Sequence, residues 1–301
     1  MRKMNFFGVA MAVLSLSLLV ISCATTAVII PPEAKQIKAM NFNNHRVGDW
    51  YTLEKMAEDW NPRLKNGDEA IDFKGIIHNR AIVAENKQFD GNVLKVFLPK
   101  GKFSPTETGA QIYSDIGGHE EIYFGVSIYL PLEFECGKEI KIPPGIYSGW
   151  KFSSGAVIPD GVKIGPTVRA VLQNCQAKSY IYHLNQKGNN DDGSSYGGNP
   201  VYGDKFSWKH DGKSVILTKG VKHEIVFYVR MNTPGKKDGR HKVWYDGELV
   251  LSLDKLEFRK VPELKFDTVG VEIFRGGNDQ SYITPHDNTL DVSDFGVYVR
   301  D

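Results

Sequence analysis

The chain has 301 residues, of which 41% are hydrophobic and 24% are charged, an ordinary balance for a folded protein. Its formal net charge of +1 excludes an overall field that would attract nucleic acid or a membrane surface. Thirty glycines and 11% aromatic residues favour a fold of strands and turns over a helical bundle. We expect no nucleic-acid partner and a monomeric protein.

The N-terminus has the layout of a bacterial export signal. Arg2 and Lys3 precede an apolar run over residues 6 to 21, and this charged-then-apolar order is typical of signal peptides. The run is short for a membrane span and ends in Val-Ile-Ser-Cys at Cys23. This ending resembles the lipobox of bacterial lipoproteins, in which the cysteine is acylated. A plain signal peptide and a single membrane helix are the alternatives.

These features predict an exported lipoprotein with three parts. A signal peptide covers 1–22, the lipidated Cys23 and a flexible tether cover 23–40, and a single jelly-roll domain covers 41–301. Ala24 follows the cysteine in place of Asp, which favours the outer membrane in Gram-negative sorting. The lipid anchor is then the only expected contact with a membrane.

The strand pattern starts after this tether. An early segment, "YTLEKMAEDW" (51–60), is the one that looks helical. "EIYFGVSIYLP" (121–131) and "TVRAVLQ" (167–173) alternate between apolar and other residues with period two, as strands do. "KVWYDGELVLSL" (242–253) contains Asp-Gly, a preferred hairpin turn pair. The pattern predicts an all-β fold, a jelly roll or concanavalin-like sandwich of two antiparallel sheets with a concave groove.

Two cysteines and several absent motifs limit the chemistry. An oxidising compartment allows a disulfide between Cys136 and Cys175, with two separate buried thiols as the alternative. The sequence has no Glu-x-Asp-x-Glu run of laminarinase-type hydrolases, no Gly-x-Ser-x-Gly elbow, no phosphate loop and no zinc-site spacing. The acidic "GNNDDG" (188–193) lacks the ligand spacing of a calcium loop. We therefore expect no metal and no cofactor.

The polar residues of two predicted strands are instead cationic and phenolic. Thr167 and Arg169 share one strand face, and Tyr180 and Tyr182 share a face of "AKSYIYHLNQKG", about 7 Å apart at roughly 3.3 Å per residue. A uronate polysaccharide can be cut by β-elimination, which requires a cation for the C5 carboxylate, a base for H5 and an acid for O4. Arg binds carboxylates bidentately, and a nearby cation lowers the pKa of a Tyr. Core packing and a sugar platform are the alternatives for the two phenols.

Five segments in order resemble polysaccharide lyase family 14, with features shared by the glucuronan lyases of family 20. They are "GKEIKIPPGIYSG", "PTVRAVLQ", "YIYHLNQKG", "NTPGKKDGRHKVWYDGELV" and "IFRGGND". The upstream "LPKGKFSPTETGAQI" also fits, and the resemblance covers about residues 92 to 299. It implies a jelly-roll enzyme that acts on an acidic polysaccharide.

Carried over position by position, the resemblance implies roles for five residues. Lys141 on the Pro-rich segment would neutralise the substrate or transfer a proton, and Arg169 would bind the uronate carboxylate. Tyr180 and Tyr182 would be the catalytic phenols. Thr167 stands where the family usually has Ser and is expected to contact the substrate.

Other positions are assigned with less support from the motifs. Gln111 is a candidate hydrogen-bond donor to the carboxylate, and Arg275 and Asn278 are candidates for one end of the groove. Lys138 is close enough in sequence to replace Lys141 as the family lysine. His183 faces away from the two tyrosines and is expected in the core or behind the site.

Three tryptophans, Trp150, Trp208 and Trp244, are expected in the core rather than as sugar platforms. Three functions remain in order of preference. The first is a surface lipoprotein that cleaves a uronate polysaccharide, alginate above all, by metal-independent β-elimination, with a glucuronan lyase as the nearest alternative. The second is a non-catalytic polysaccharide-binding lipoprotein, and the third is a glycoside hydrolase.

Overall fold

The structure is a computed structural model, and it describes residues 30–62, 64–65, 69–70, 73–149, 151–155, 157–191, 193–194, 202–277 and 279–300. Within these residues, two short α-helices are α1 (Leu53–Asp59) and α2 (Ser104–Glu107), and a 3-10 turn covers Gln280–Tyr282. Helix α1 lies in the segment predicted to be helical, where the Thr52 side chain accepts a hydrogen bond from the Lys55 N–H as an N-cap.

The remaining regular structure is strand. In chain order the strands are β1 (Lys35–Met40), β2 (Leu64–Lys65), β3 (Glu69–Ala70), β4 (Ala81–Glu85), β5 (Asn92–Leu98), β6 (Ala110–His119), β7 (Glu121–Tyr129), β8 (Ile140–Ser148), β9 (Lys151–Phe152), β10 (Ile164–Gly165), β11 (Thr167–Gln173), β12 (Gln176–Tyr182), β13 (Asp204–Ser207), β14 (Lys209–His210), β15 (Lys213–Ser214), β16 (Lys222–Arg230), β17 (Gly239–Tyr245), β18 (Glu248–Leu256), β19 (Phe266–Arg275) and β20 (Asn288–Arg300).

Most strands belong to two sheets. The six-stranded sheet has the order β13-β12-β11-β8-β19-β6, and the eight-stranded sheet has the order β18-β17-β16-β7-β20-β5-β4 with β1 also paired to β20. All strand pairs within both sheets are antiparallel. The predicted all-β sandwich of antiparallel sheets is therefore confirmed.

The core lies between the inward faces of the two sheets. The apolar face predicted for β7 is buried, and its members are Ile122, Phe124, Val126, Ile128 and Leu130. They share one cluster with Val168, Ala170 and Leu172 of β11 and Ile181 of β12. Since successive strand residues point to opposite faces, this burial sends the intervening polar residues of β11 and β12 to the outward face of the six-stranded sheet.

The folded unit begins earlier than predicted. Strand β1 pairs with β20, so the tether predicted over 23–40 includes six residues that are part of a sheet. Met40 is the only buried residue of β1, and an exposed strand of this kind gives no alternating apolar signal. Residues 1–22 and Cys23 lie outside the described part of the chain, in which no helix is long and apolar enough to cross a membrane.

The tryptophan predictions have different outcomes. Trp208 is fully buried, as predicted. Trp244 lies on β17 between the inward-facing Val243 and the partly exposed Tyr245 and is itself only partly buried, so its assignment to the core is wrong. Trp150 lies outside the described residues. The predicted Asp-Gly turn is confirmed between β17 and β18, where both turn residues have positive φ, as a type I′ hairpin requires.

Candidate active site

The register of two neighbouring strands assembles the predicted phenols and arginine. Arg169 of β11 pairs with Tyr180 of β12, and Thr167 pairs with Tyr182. Residues that pair directly point to the same face of a sheet. The Arg169 guanidinium lies 5.0 Å from the ring centre of Tyr180 and 5.3 Å from that of Tyr182. The two phenolic oxygens are 3.0 Å apart, so the two tyrosines form one hydrogen-bonded pair.

Lys141 reaches the same cluster from β8, on the other side of β11. Its Nζ atom lies 4.5 Å from the Tyr180 ring centre. Arg169 of β11 pairs with Gly145 of β8, and the next residue of β11 pairs with Ile142. Pro143 and Pro144 of β8 therefore have no partner in β11 and form a bulge. Proline has no N–H for a sheet hydrogen bond and is typical of such bulges.

Lys138 points elsewhere. It is exposed, donates a hydrogen bond to Ser281 Oγ at 2.7 Å and lies 4.4 Å from the ring centre of Tyr282. The structure therefore places Lys141, and not Lys138, beside the two phenols.

Two glycines make room for further aromatic rings on this face. Gly145 of β8 pairs with Gly270 of β19. A Cβ atom at Gly145 would collide with the Tyr147 ring, and one at Gly270 would collide with the rings of Tyr147 and Tyr113. The two rings pack edge to face with centres 5.3 Å apart, and they flank the cluster on the side of β19 and β6.

One carboxylate that the sequence analysis missed is Glu139, directly before β8. It accepts hydrogen bonds from Lys141 Nζ, from Lys205 Nζ at 2.6 Å and from Gln173 Nε2 at 3.0 Å. The Glu139, Lys141 and Lys205 side chains are all 7% exposed. Glu139 therefore neutralises part of the positive charge beside Tyr180 in a site that water barely reaches.

A second missed carboxylate, Glu272 of β19, pairs with the arginine. Its Oε2 atom lies 3.5 Å from Arg169 Nη1. Its Oε1 atom accepts hydrogen bonds from the Tyr113 hydroxyl and, at 3.3 Å, from Gln111 Nε2. The structure thus brings Gln111 into the cluster, but as a partner of Glu272.

Burial and charge set the protonation states of these groups. Burial, together with the nearby Arg169 and Lys205 cations, outweighs the attraction of Glu139 and lowers the pKa of Lys141 to about 8. Burial alone would raise the pKa of Glu139, but Lys141 and Lys205 hold that pKa well below its usual range. Glu139 is therefore ionised, whereas Lys141 releases its proton at a lower pH than an ordinary lysine does.

The four phenols of this face differ in their surroundings. Burial, reinforced by the charge of Glu272, raises the pKa of both Tyr113 and Tyr147 well above its usual value. These two phenols therefore stay protonated. Tyr180, in contrast, has three cations around its ring, since Lys205 Nζ lies 5.5 Å from the ring centre in addition to Lys141 and Arg169.

Arg169 retains donors for a ligand. It is 4% exposed, and neither Nε nor Nη2 has a hydrogen-bond partner among the described residues. Burial opposes its charge, but Glu272 and the neighbouring tyrosines outweigh burial and keep the pKa of Arg169 above its ordinary value. Buried donors without partners are costly, and a carboxylate can accept both at once.

Other predicted residues are not part of this cluster. Thr167 is fully buried, and its hydroxyl donates to the Ser153 carbonyl at 3.2 Å. Arg275 is also fully buried and donates to the Cys136 and Glu135 carbonyls at 3.0 and 2.6 Å. In β19 it is out of phase with Glu272, so the structure does not bring it to the outward face. Asn278 lies outside the described residues.

His183 and the cysteines have structural surroundings. His183 Nε2 lies 2.9 Å from Asp204 Oδ2, and the residue is mostly buried, which fits the expected place behind the site. Cys136 and Cys175 form a disulfide, the first of the two alternatives. The disulfide links the segment before β8, which carries Glu139, to the turn between β11 and β12.

The missed residues carried a weak signal in the sequence. Glu272 is the lone charge in the apolar "TVGVEIF", and Tyr113 follows Gln111 at the same-face spacing. Glu139 precedes Lys141 by two residues. Lys205 had no such signal, because it reaches Tyr180 only through the pairing of β13 with β12. Among the described residues, no group of three or more His, Cys, Asp or Glu side chains is placed to bind a metal ion.

The sandwich thus carries a cluster of cations and phenols on the outward face of its six-stranded sheet. The family model of polysaccharide lyase 14 matches residues 86–295, which is more than half of the chain. The chain therefore belongs to polysaccharide lyase family 14 and is a polysaccharide lyase. No curated protein sequence shows significant similarity to it.

Solved structures with the same fold have low sequence identity to the chain. Alginate lyase Aly36B is 22% identical, with a TM-score of 0.67 over 88% of this chain and 96% of that one. A variant of Aly36B has also been solved in complex with an alginate tetrasaccharide. The alginate lyase of Aplysia kurodai is 18% identical, with a TM-score of 0.65 over 89% and 100% of the two chains. Alginate lyase vAL-1 from Chlorella virus is 19% identical, with a TM-score of 0.63 over 85% of this chain and 100% of that one.

Proposed function

We propose that this polysaccharide lyase cleaves a uronate-rich polysaccharide, alginate in the first place, by β-elimination without a metal ion. The observation that carries the proposal is the position of Arg169. Its two unpartnered donors are buried beside the hydrogen-bonded pair of Tyr180 and Tyr182. The alginate lyases that share the fold support alginate as the first polymer to test.

The first step is neutralisation of the uronate carboxylate. The C5 carboxylate accepts hydrogen bonds from Arg169 Nε and Nη2. It supplies the acceptor that both donors lack among the described residues. A bidentate pair of this kind is strong in a site with little water. It withdraws negative charge from the carboxylate and so stabilises the carbanion-like state that forms when H5 leaves.

The second step moves two protons and breaks the C5–H and C4–O4 bonds of the substrate. A base next to Arg169 removes H5, the electron pair of the C5–H bond forms the C4=C5 double bond, and the C4–O4 bond breaks. The departing O4 takes a proton from an acid. The Tyr180–Tyr182 pair supplies both groups, because one phenol can lose a proton while the other holds one, and their oxygens are 3.0 Å apart.

Lys141 assists this exchange. Its ammonium group lies 4.5 Å from the Tyr180 ring centre, and its pKa of about 8 lets it give or take a proton near neutral pH. Glu139 and Lys205 hold its position through the shared hydrogen bonds. The Tyr113 hydroxyl keeps its proton in the hydrogen bond to Glu272. Tyr147, whose pKa is also raised, remains a protonated donor that orients the sugar.

The test is an ultraviolet assay of the purified protein with alginate, poly-β-glucuronate and other uronate polymers. A rise in absorbance from the conjugated 4,5-unsaturated uronate is expected with alginate, and the activity should survive EDTA. Loss of activity in EDTA would contradict metal independence. A rise with poly-β-glucuronate alone would make the chain a glucuronan lyase. Binding without any rise across the panel would favour the binding-protein alternative.

Tyr182→Phe tests the phenol pair directly. It removes one hydroxyl from a fully buried ring, so the fold should persist while turnover falls by about a hundredfold or more, the range of a lost general acid or base. Tyr129→Phe, on the other sheet, is the matched control and should keep full activity. Wild-type turnover in Tyr182→Phe would exclude Tyr182 from the mechanism.

We also propose that Cys23 is lipidated and that the enzyme acts at the outer membrane, as a monomer that contacts the membrane through its lipid alone. The proposal rests on the sequence of residues 1–24.

A further inference from the structure

The outward face of the eight-stranded sheet carries a second group of cationic side chains, on the side of the core opposite the candidate active site. The register of β20, β7, β16 and β17 aligns Arg300 with Glu121, Glu121 with Arg230, and Arg230 with Arg240. At about 4.8 Å between strands, this row spans roughly 14 Å. Lys242, two residues after Arg240, adds a fourth cation on the same face.

The cations are only partly balanced. Arg300 lies 3.3 Å from Glu33 and 3.9 Å from Glu121, and Arg240 lies 3.7 Å from Asp254. For Arg230 and Lys242, no carboxylate lies within salt-bridge distance among the described residues, and Arg230 Nη2 donates to the Asp238 carbonyl at 2.9 Å.

The pairing of Arg230 with Arg240 is an independent sign of an anion site. The two residues are directly opposite each other on neighbouring antiparallel strands. Like charges in this position destabilise a sheet, and a bound anion removes that cost. The residues line a depression of about 450 Å³ together with Tyr123, Tyr228 and Trp244.

Aromatic rings lie beneath and beside these cations: Tyr123 and Tyr228 are each only 6% exposed, whereas Trp244 is partly exposed. Tyr123 and Tyr228 pair across β7 and β16 with ring centres 4.8 Å apart. Trp244 follows Lys242 at the same-face spacing and pairs with Leu249, which is 49% exposed. Trp244 beside Lys242 therefore offers an accessible flat ring next to a cation, which suits the apolar faces and the carboxylates of a uronate chain.

We propose that this surface, formed by Arg230, Arg240, Lys242, Trp244 and Arg300, is a second binding site for the anionic polysaccharide that the enzyme cleaves. The inference rests on the proposed function. The core separates the two sites, so a trisaccharide is too short to occupy both. A polymer is long enough to reach from one site to the other. The site therefore holds the enzyme on its polymer without taking part in bond cleavage.

The test compares a triple variant, Arg240→Ala, Lys242→Ala and Trp244→Ala, with a matched control, Lys87→Ala and Lys100→Ala. The control removes two exposed lysines next to β4 and β5. In the Tyr182→Phe background, which is expected to slow cleavage, the affinity of the full-length protein for alginate polymer is measured at low salt. We expect the triple variant to bind about tenfold more weakly or worse and the control to bind like the parent.

Kinetics in the active background separate the outcomes. The triple variant should show a higher KM for polymer and an unchanged kcat/KM for alginate trisaccharide. If the triple variant cleaves alginate and matches the parent in polymer affinity and in KM, the second binding site is refuted. The proposed function is unaffected by that result. If the triple variant binds polymer like the parent but no longer binds anionic lipid vesicles, the surface is a membrane contact. That result would also refute the second polysaccharide site. Absence of cleavage by the wild type would instead refute the proposed function.

Discussion

Glu139→Gln tests whether the buried carboxylate sets the proton affinity of Lys141. The substitution keeps the size and one hydrogen-bond acceptor but removes the charge between Lys141 and Lys205. Glu139 is the main influence that raises the pKa of Lys141, which burial lowers to about 8. Loss of a charge partner at this distance shifts a pKa by about 1–3 units, so the pKa of Lys141 should fall to roughly 5–7.

Stability should respond in a defined direction. Removing one partner from a buried ion pair costs about 3–5 kcal/mol when the other stays charged. In the variant, the folded state binds fewer protons than the unfolded state between the lowered pKa and the ordinary Lys pKa. Stability therefore rises with pH across that window, and the variant should be least stable at acidic pH.

The assay is the pH dependence of kcat/KM for alginate cleavage by the wild type and the variant. The limb that reports Lys141 should move to lower pH by about 1–3 units. Glu133→Gln, which changes an exposed glutamate shortly before the same strand, is the control and should leave the profile unchanged. A variant that is folded and active with an unshifted limb would show that Lys141 does not control the titration.

Three further predictions concern the rest of the molecule. Cys136→Ser with Cys175→Ser removes a cross-link between residues 39 positions apart, so the free energy of unfolding should fall by about 4 kcal/mol. If a reductant leaves the denaturant unfolding of the wild type unchanged, this prediction is contradicted. Burial lowers the pKa of His241 to about 4, so the unfolded state binds more protons than the folded state between about pH 6.5 and 4. Acidification across this window should therefore lower the free energy of unfolding by about 3 kcal/mol. An equal dependence of that free energy on pH in His241→Gln would refute the assignment. Cys23→Ala should release the protein from membranes, and a variant still found in the membrane fraction would contradict the lipid anchor.

Local pattern was sufficient to predict which polar residues share a face of β11 and of β12, and the family resemblance implied that these residues form a candidate active site. Period two fixes which residues of one strand share a face, and the short turn between β11 and β12 aligns Arg169 with Tyr180. Both facts depend on residues close together in the sequence. The same reasoning predicted the buried face of β7 and the Asp-Gly hairpin correctly.

The failures come from pairing between distant segments. Glu272 meets Arg169 although the two are 103 residues apart in sequence, and Glu139 meets Lys205 across 66. No local spacing encodes either contact. Arg275 was expected at one end of the groove, whereas it ends β19 with its side chain buried against the carbonyls of residues 135 and 136.

The two carboxylates give the candidate site a specific charge balance. Lys141, Lys205 and Arg169 carry three positive charges on the outward face, against the negative charges of Glu139 and Glu272. Glu139 engages both lysines, whereas Glu272 approaches only Nη1 of Arg169 and at the longer distance of 3.5 Å. The excess charge is therefore concentrated at the arginine. In the proposed mechanism, one uronate carboxylate completes the neutralisation at Arg169, so that the sugar ring lies next to the two phenols while Lys141 stays paired with Glu139.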